Sequence, residues 1–299
     1  MIAVKEIDGG VTVSGIDCFS VMQTFDCGQC FRFDVDENSA TGYAFGKKVT
    51  FKQISENEIY ISPCTEWEFS AIWMRYLALD TDYPSARCEL KKVRPNDEKL
   101  ALAMETGKGI RLLRQDPWET LCSFIISQNN NIPRIKKIIA ALCKAGAELE
   151  GWGEDVFPPP KTLIKMGYNG LFALKTGFRA SYLYDAAVKV DSGEVDLEAV
   201  KTMPTDKAAA ELCKIKGVGP KVAACALLFG FEKYDAFPID VWVKRVMAEY
   251  YGGSVTGADF GSYAGLAQQY LFYFRRGEKK EPRQTDGSGK NPDRKNWEK

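Results

Sequence analysis

The hydrophobic period of this chain changes near residue 95, and a single layer of structure cannot serve both periods. Ahead of that point the apolar residues fall in short alternating runs: Val11-Thr12-Val13, Cys30-Phe31-Arg32-Phe33-Asp34-Val35, Val49-Thr50-Phe51-Lys52 and Ile59-Tyr60-Ile61. Successive side chains of a strand point to opposite faces, so each run reads as a half-buried strand. Asp36-Glu37-Asn38-Ser39 and Ser55-Glu56-Asn57-Glu58 supply turn chemistry between them. The front therefore predicts an antiparallel sheet, followed by a helix from Glu66 to about Leu79. Behind the change, helical spacing predicts helices over 116–128, 131–146, 178–191, 206–215, 220–230, 241–251 and 260–274. Pro117 after Asp116 and Pro220 after Gly219 suit first helical turns. Three consecutive prolines mark 151–160 as a loop. The stretch 276–299 is polar and aperiodic and is expected to be a disordered tail. The fold class is α+β: a sheet domain with flanking helices over 1–106, then a helical body over 107–275.

Composition narrows the function classes. Of 299 residues, 45% are apolar and 27% charged, which excludes disordered, collagen-like and disulfide-scaffold chains. No apolar run reaches the roughly 18 residues of a membrane helix, so no membrane partner is expected. Met1 to Glu6 lacks the basic flank and apolar core of a signal peptide. The expected setting is the cytoplasm, at the nucleoid of a bacterium, or the nucleus of a eukaryote. Nine cysteines, an odd number spread along the chain, fit reduced thiols. There is no histidine, which removes Ser-His-Asp and Cys-His catalysis and most transition-metal sites. Neither metal nor cofactor is expected. The zero net charge hides an asymmetry: residues 1–105 hold 11 basic and 17 acidic side chains, residues 106–299 hold 29 and 23. The rear of the chain is the half suited to a polyanion.

The sharpest motif is Leu212-Cys213-Lys214-Ile215-Lys216-Gly217-Val218-Gly219-Pro220-Lys221-Val222-Ala223. One helix ends, a Gly-x-Gly hairpin turns and a second helix starts. Glycine permits positive φ and close backbone approach, and the N–H groups at a helix start attract anions. Gly217, Val218 and Gly219 thus form a cradle for a DNA phosphate that reads no sequence. A plain helix–helix turn is the bland alternative. Lys221 sits at the hairpin exit, and Asp240 follows in Phe237-Pro238-Ile239-Asp240-Val241-Trp242. One helix and a returning loop between them can bring the carboxylate back to the hairpin mouth. Alone, Asp240 could be an N-cap and Lys221 a phosphate contact; together with the hairpin they point to catalysis.

At this point the chain resembles the 8-oxoguanine DNA glycosylase/AP lyase family of the helix–hairpin–helix glycosylase superfamily. The resemblance runs from about Phe25 to Phe272. It rests on Gly28-Gln29-Cys30-Phe31-Arg32, Gly109 to Pro117, Ser127-Gln128-Asn129-Asn130-Asn131-Ile132-Pro133-Arg134-Ile135, Gly177-Phe178-Arg179-Ala180, Gly217 to Cys225, Pro238 to Val241 and Tyr263 to Gln268. It implies a TATA-binding-protein-like antiparallel sheet followed by a helical body. It also implies a monomer that acts on double-stranded DNA containing 8-oxoguanine. Sister branches carry a four-cysteine cluster after the catalytic aspartate. Here the last cysteine is Cys225, ahead of Asp240, so no such cluster can form. Cys27-x-x-Cys30 lacks a matching second pair.

The resemblance assigns roles residue by residue. Asn129 fills the hole left by the flipped nucleotide. Arg134 and Arg179 donate to the estranged cytosine, beside Phe178. The Gly28 carbonyl accepts the N7–H that 8-oxoguanine has and guanine lacks. Gln268 reads the base edge, and Cys225 and Phe272 sandwich the ring. Lys221, once deprotonated, attacks C1′ and forms a Schiff base, while Asp240 stabilises the cationic sugar. Phe178 stands where a tyrosine is usual and Trp242 where a histidine is usual, and the acid normally just beyond the sandwich phenylalanine is missing. Two other classes compete: a monofunctional alkylbase glycosylase, which usually lacks the hairpin lysine, and a non-catalytic DNA-binding protein, which needs neither Lys221 nor Asp240.

Overall fold

In the computed structural model, which describes residues 2–278, six antiparallel strands come first and helices follow. The strands are β1 (Ala3–Ile7), β2 (Gly10–Ser14), β3 (Phe33–Val35), β4 (Ser39–Ala44), β5 (Lys47–Ser55) and β6 (Glu58–Ser62), in sheet order β1-β2-β6-β5-β4-β3. Alternation sets the register. Val11 pairs with Ile61 and Val13 with Ile59, and Phe51 pairs with both Ile61 and Ala40, so one face carries a continuous buried surface. Phe25, Trp73, Tyr76 and Leu77 cover it. The predicted Cys30–Val35 strand is shorter than expected, because Cys27 to Phe31 is a buried loop. β1 escaped prediction because it is a largely exposed edge strand, and β4 because its buried positions are Ala40, Gly42 and Ala44.

The helices are α1 (Val21–Phe25), α2 (Glu66–Glu68), α3 (Met74–Tyr76), α4 (Tyr83–Val93), α5 (Glu98–Thr106), α6 (Pro117–Ser127), α7 (Ile132–Glu150), α8 (Pro160–Leu171), α9 (Arg179–Asp191), α10 (Leu197–Thr202), α11 (Thr205–Leu212), α12 (Pro220–Gly230), α13 (Val241–Tyr251) and α14 (Ala264–Glu278). The predicted helix at 66–79 is one path from α2 to α3 through a π turn at Phe69–Trp73. It stops short because Ala78 takes φ 50. Buried side chains sort into two clusters. The sheet cluster runs from Val11 to Leu79 and adds Leu113; Leu90, Leu100 and Met104 belong to the helical one. Thus α4 and α5, expected with the sheet domain of 1–106, pack in the helical core instead. Their apolar stripes face α14 and the 3-10 turn Gly257–Tyr263 ahead of it. The expected tail also begins too early: residues 276–278 continue α14, where Arg276 Nη2 lies 2.7 Å from Asp26 Oδ2. The remainder of 276–299 lies outside the described residues. Among the described residues no helix is long and apolar enough to cross a membrane.

Candidate active site

The hairpin motif folds as its composition requires. Helix α11 ends at Leu212, Val218 N donates to Ile215 O at 3.0 Å, and α12 begins at Pro220. Gly217 has φ 77, and a Cβ there would lie 2.2 Å from the Tyr182 ring; only glycine fits. Gly219 differs: a Cβ would meet nothing within 4 Å, so its outer side is open. No side chain caps α12, so the N–H groups of its first turn have no side-chain acceptor at the cap. The loop is moored to α9, where Lys216 N donates to Asp185 Oδ2 at 2.7 Å and Lys189 Nζ to Lys214 O at 2.6 Å.

Lys221, one residue into α12, extends toward the aromatic wall, with Nζ 5.6 Å from the Phe124 ring centroid. Asp240 caps α13, accepting from Val243 N at 2.7 Å. Asp240 is thus the N-cap that one of its sequence readings gave, and it also lines the cavity that Lys221 lines. That cavity measures about 50 Å³, and its lining includes Gly28, Lys221, Cys225, Asp240, Gln268 and Phe272, together with Cys27 and Gln269. Residues far apart in the sequence converge there. Cys225 is 4% exposed, and burial pushes its thiol up to about 11, with Lys221 pulling it down and Asp240 pushing it up. Gly28, at φ 82, faces Phe272, whose Cε1 would lie 3.6 Å from a Cβ at that position. Gln268 is 5% exposed, and its Oε1 has no hydrogen-bond partner among the described residues.

The residues expected at the DNA surface gather at the start of α7. Asn129 takes φ 46, a left-handed conformation asparagine tolerates. Asn131 caps α7 by accepting from Arg134 N at 3.0 Å. Phe178 is 49% exposed, under the Arg179 guanidinium, whose Cζ is 4.4 Å from the ring centroid. Arg134 is exposed, with Nη2 a weak 3.4 Å from Lys175 O. Arg179 departs from expectation. It is buried, and its Nε, Nη1 and Nη2 donate to the carbonyls of Gln128, Thr176 and Asn129. Burial first, then neighbouring Arg134, lowers its pKa. Its fork holds the Asn129 turn rather than pointing outward.

Two glutamines were missed. Gln29 is 1% exposed and Gln269 2%. Gln29 Nε2 donates to Thr24 O and Arg111 O, each at 2.8 Å, and its Oε1 accepts from Leu113 N. Gln269 Nε2 donates to Cys27 O at 2.6 Å. A buried amide inside a loop or an apolar helix has no periodic signature. Cys27 and Cys30 are both buried, and burial raises both thiols, Cys27 to about 12. Among the described residues no group of three or more His, Cys, Asp or Glu side chains could hold a metal ion.

The family model described as 8-oxoguanine DNA glycosylase, N-terminal domain, matches residues 13–121, and that of the HhH-GPD superfamily base excision DNA repair proteins matches 122–257. An N-glycosylase/DNA lyase of Arabidopsis thaliana is 32% identical over 55% of this chain and 52% of its own length. The N-glycosylase/DNA lyase of Saccharomyces cerevisiae is 32% identical over 73% of this chain and 65% of its own. The chain thus spans between half and two thirds of these curated relatives. A solved structure matches more fully: the Clostridium acetobutylicum 8-oxoguanine glycosylase/lyase in complex with double-stranded DNA containing cytosine opposite 8-oxoguanine. It is 39% identical, has a TM-score of 0.82, and the match covers 93% of this chain and 98% of that one.

Proposed function

The chain belongs to the 8-oxoguanine DNA glycosylase family, and we propose that it excises 8-oxoguanine from duplex DNA and then cuts the strand. The observation that carries this reading is the unpartnered Gln268 Oε1 in the cavity shared with Lys221 and Asp240. A buried acceptor without a donor costs about 1–3 kcal/mol, and the donors on a base's Watson–Crick edge remove that cost. Gly28, which lines the same cavity, offers its carbonyl to the N7–H of the oxidised base. The cavity is small beside the roughly 300–1,000 Å³ of ordinary ligand pockets. Half-buried Phe272 is the wall that swings aside before it stacks on the base against Cys225.

The reaction follows from Lys221 and Asp240. The neutral Lys221 amine attacks C1′; the bond from C1′ to the base breaks and the base leaves with its electron pair. The sugar opens to a Schiff base on Lys221, a C2′ proton is removed, and the 3′ phosphate departs by β-elimination. Asp240, held by its cap bond, faces the positive charge that develops on the sugar. The hairpin N–H groups grip one phosphate, Asn129 occupies the vacated stack, and exposed Arg134 donates to the estranged cytosine. Arg179 supports that reading from beneath by fixing the Asn129 turn.

The test is borohydride trapping and single-turnover base release on duplexes carrying 8-oxoguanine opposite each of the four bases. Wild type should trap covalently and release fastest opposite cytosine. Lys221→Gln should bind the same duplexes and lose both trapping and release. Robust trapping by that variant would overturn the assignment of the nucleophile, and equal rates opposite all four bases would overturn the cytosine preference.

A further inference from the structure

We propose that Gln269 is a positioning residue that aims the Gly28 carbonyl, and so sets how strongly the pocket prefers 8-oxoguanine to guanine. This rests on the reading of Gly28 given above. Discrimination by one hydrogen bond depends on where its acceptor points, and a misplacement of about 1 Å in a site can cost on the order of a hundredfold. Gly28 is poorly suited to hold that aim by itself. At φ 82 it lies where only glycine is at ease, and glycine leaves its flanking peptide planes free to rock.

The neighbouring groups remove that freedom. On one side, Gln269 Nε2 donates to the Cys27 carbonyl at 2.6 Å, which fixes the peptide plane entering Gly28. On the other, Gln29 is pinned through its buried side chain, and its own carbonyl accepts from Gln115 Nε2 at 2.8 Å. The Gly28 carbonyl lies between these two clamps. The Gln29 clamp belongs to the loop's packing on the Arg111 to Leu113 segment. The Gln269 clamp comes from α14, the helix that carries Gln268 and Phe272. Those two are four apart and share a helix face, while Gln269 lies about 100° around the axis, at the cavity's edge, and its amide reaches the loop. One buried bond between residues 242 apart therefore holds the N7–H acceptor in register with the wall that reads and stacks on the same base.

Gln269→Met keeps the length and apolar volume of the side chain and removes the donor. Gln269→Asn keeps a donor that is one methylene too short. For each, 8-oxoguanine release and strand cleavage at a preformed abasic site are measured on one preparation, with its melting temperature. The abasic site has no base to read, so the ratio of release to abasic cleavage isolates the pocket. That ratio should fall at least tenfold in Gln269→Met and by less in Gln269→Asn. In a Lys221→Gln background, the preference for binding 8-oxoguanine duplex over guanine duplex should shrink to match. A wild-type ratio in both variants, or parallel loss of both rates with the melting temperature, would reduce Gln269 to a packing residue and overturn the proposal. Failure of both variants to fold would do the same. A wild type that releases no 8-oxoguanine would overturn the function itself, a result no Gln269 variant can imitate.

Discussion

Asp240 carries two duties that separate under substitution. Its Oδ1 caps α13 through Val243 N, and its carboxylate faces the cavity that Lys221 enters. Asparagine caps a helix about as well as aspartate but brings no charge. Asp240→Asn should therefore keep the melting temperature within about 1 °C while lowering turnover at least a hundredfold, roughly 3 kcal/mol of electrostatic stabilisation. Asp240→Ala should lose the same activity and about 1 kcal/mol of stability as well. If Asp240→Asn melts early and turns over normally, the residue is only a cap. That Lys221 and Asp240 would come to one cavity was legible in the sequence because the Gly-x-Gly hairpin and the Pro-x-Asp turn are local chemistry. Gln269 was not, since its partner Cys27 is brought to it only by the finished fold.

At the scale of the element, the two hairpin glycines are needed for different reasons. Gly217 has positive φ and the Tyr182 ring where a Cβ would go; Gly219 has neither constraint. Gly217→Ala should cost about 2 kcal/mol or more through strain and overlap, read as a lower melting temperature. Gly219→Ala should leave melting unchanged and weaken duplex binding about tenfold, because its methyl stands where a phosphate approaches the α12 N-terminus. Equal effects of the two on melting would remove the phosphate cradle from Gly219. Some helices were readable to the residue: α12, apolar nearly all round, and α13 match their expected spans. Others were not: α10 buries one residue in six, too few to set a period, and α8 turns away from helical geometry at Gly167. The helices α4 and α5 also went unread, although α4 buries as many of its eleven residues as α13 does.

Across the whole molecule, the sheet and the helical body are joined by polar struts as well as by packing. Arg32, just ahead of β3, reaches Glu119 of α6 at 3.2 Å and the carbonyls of Glu154 and Asp155, each at 2.9 Å. Burial, only partly offset by Arg32, raises the Glu119 pKa to about 7 from 4.5. A carboxyl with a raised folded pKa favours the folded state below about 4.5 and loses that contribution as pH rises through 7. Glu119→Gln has no such titration. Its stability relative to wild type should thus grow by roughly 2 kcal/mol between pH 5 and 7.5, measured by denaturant unfolding at each pH. Parallel pH curves would show that Glu119 stays ionised throughout. Such struts pair distant residues and leave no mark on hydrophobic period, which is why the division of the chain into two layers was readable and the joints between them were not. The joint from Gln269 to Cys27, 242 residues apart, also bears on how the protein is made. Synthesis delivers Cys27 and Gly28 early, then the hairpin with Lys221, and Gln268 to Phe272 only some 240 residues after the loop they must meet. On the roles proposed above, the lysine that attacks and the hairpin that grips phosphate are made before the α14 residues that read the base. Yet Leu266, Ala267, Tyr270 and Leu271 of α14 are buried in the helical core, so the pocket and the body that holds Lys221 are completed by the same last stretch of chain.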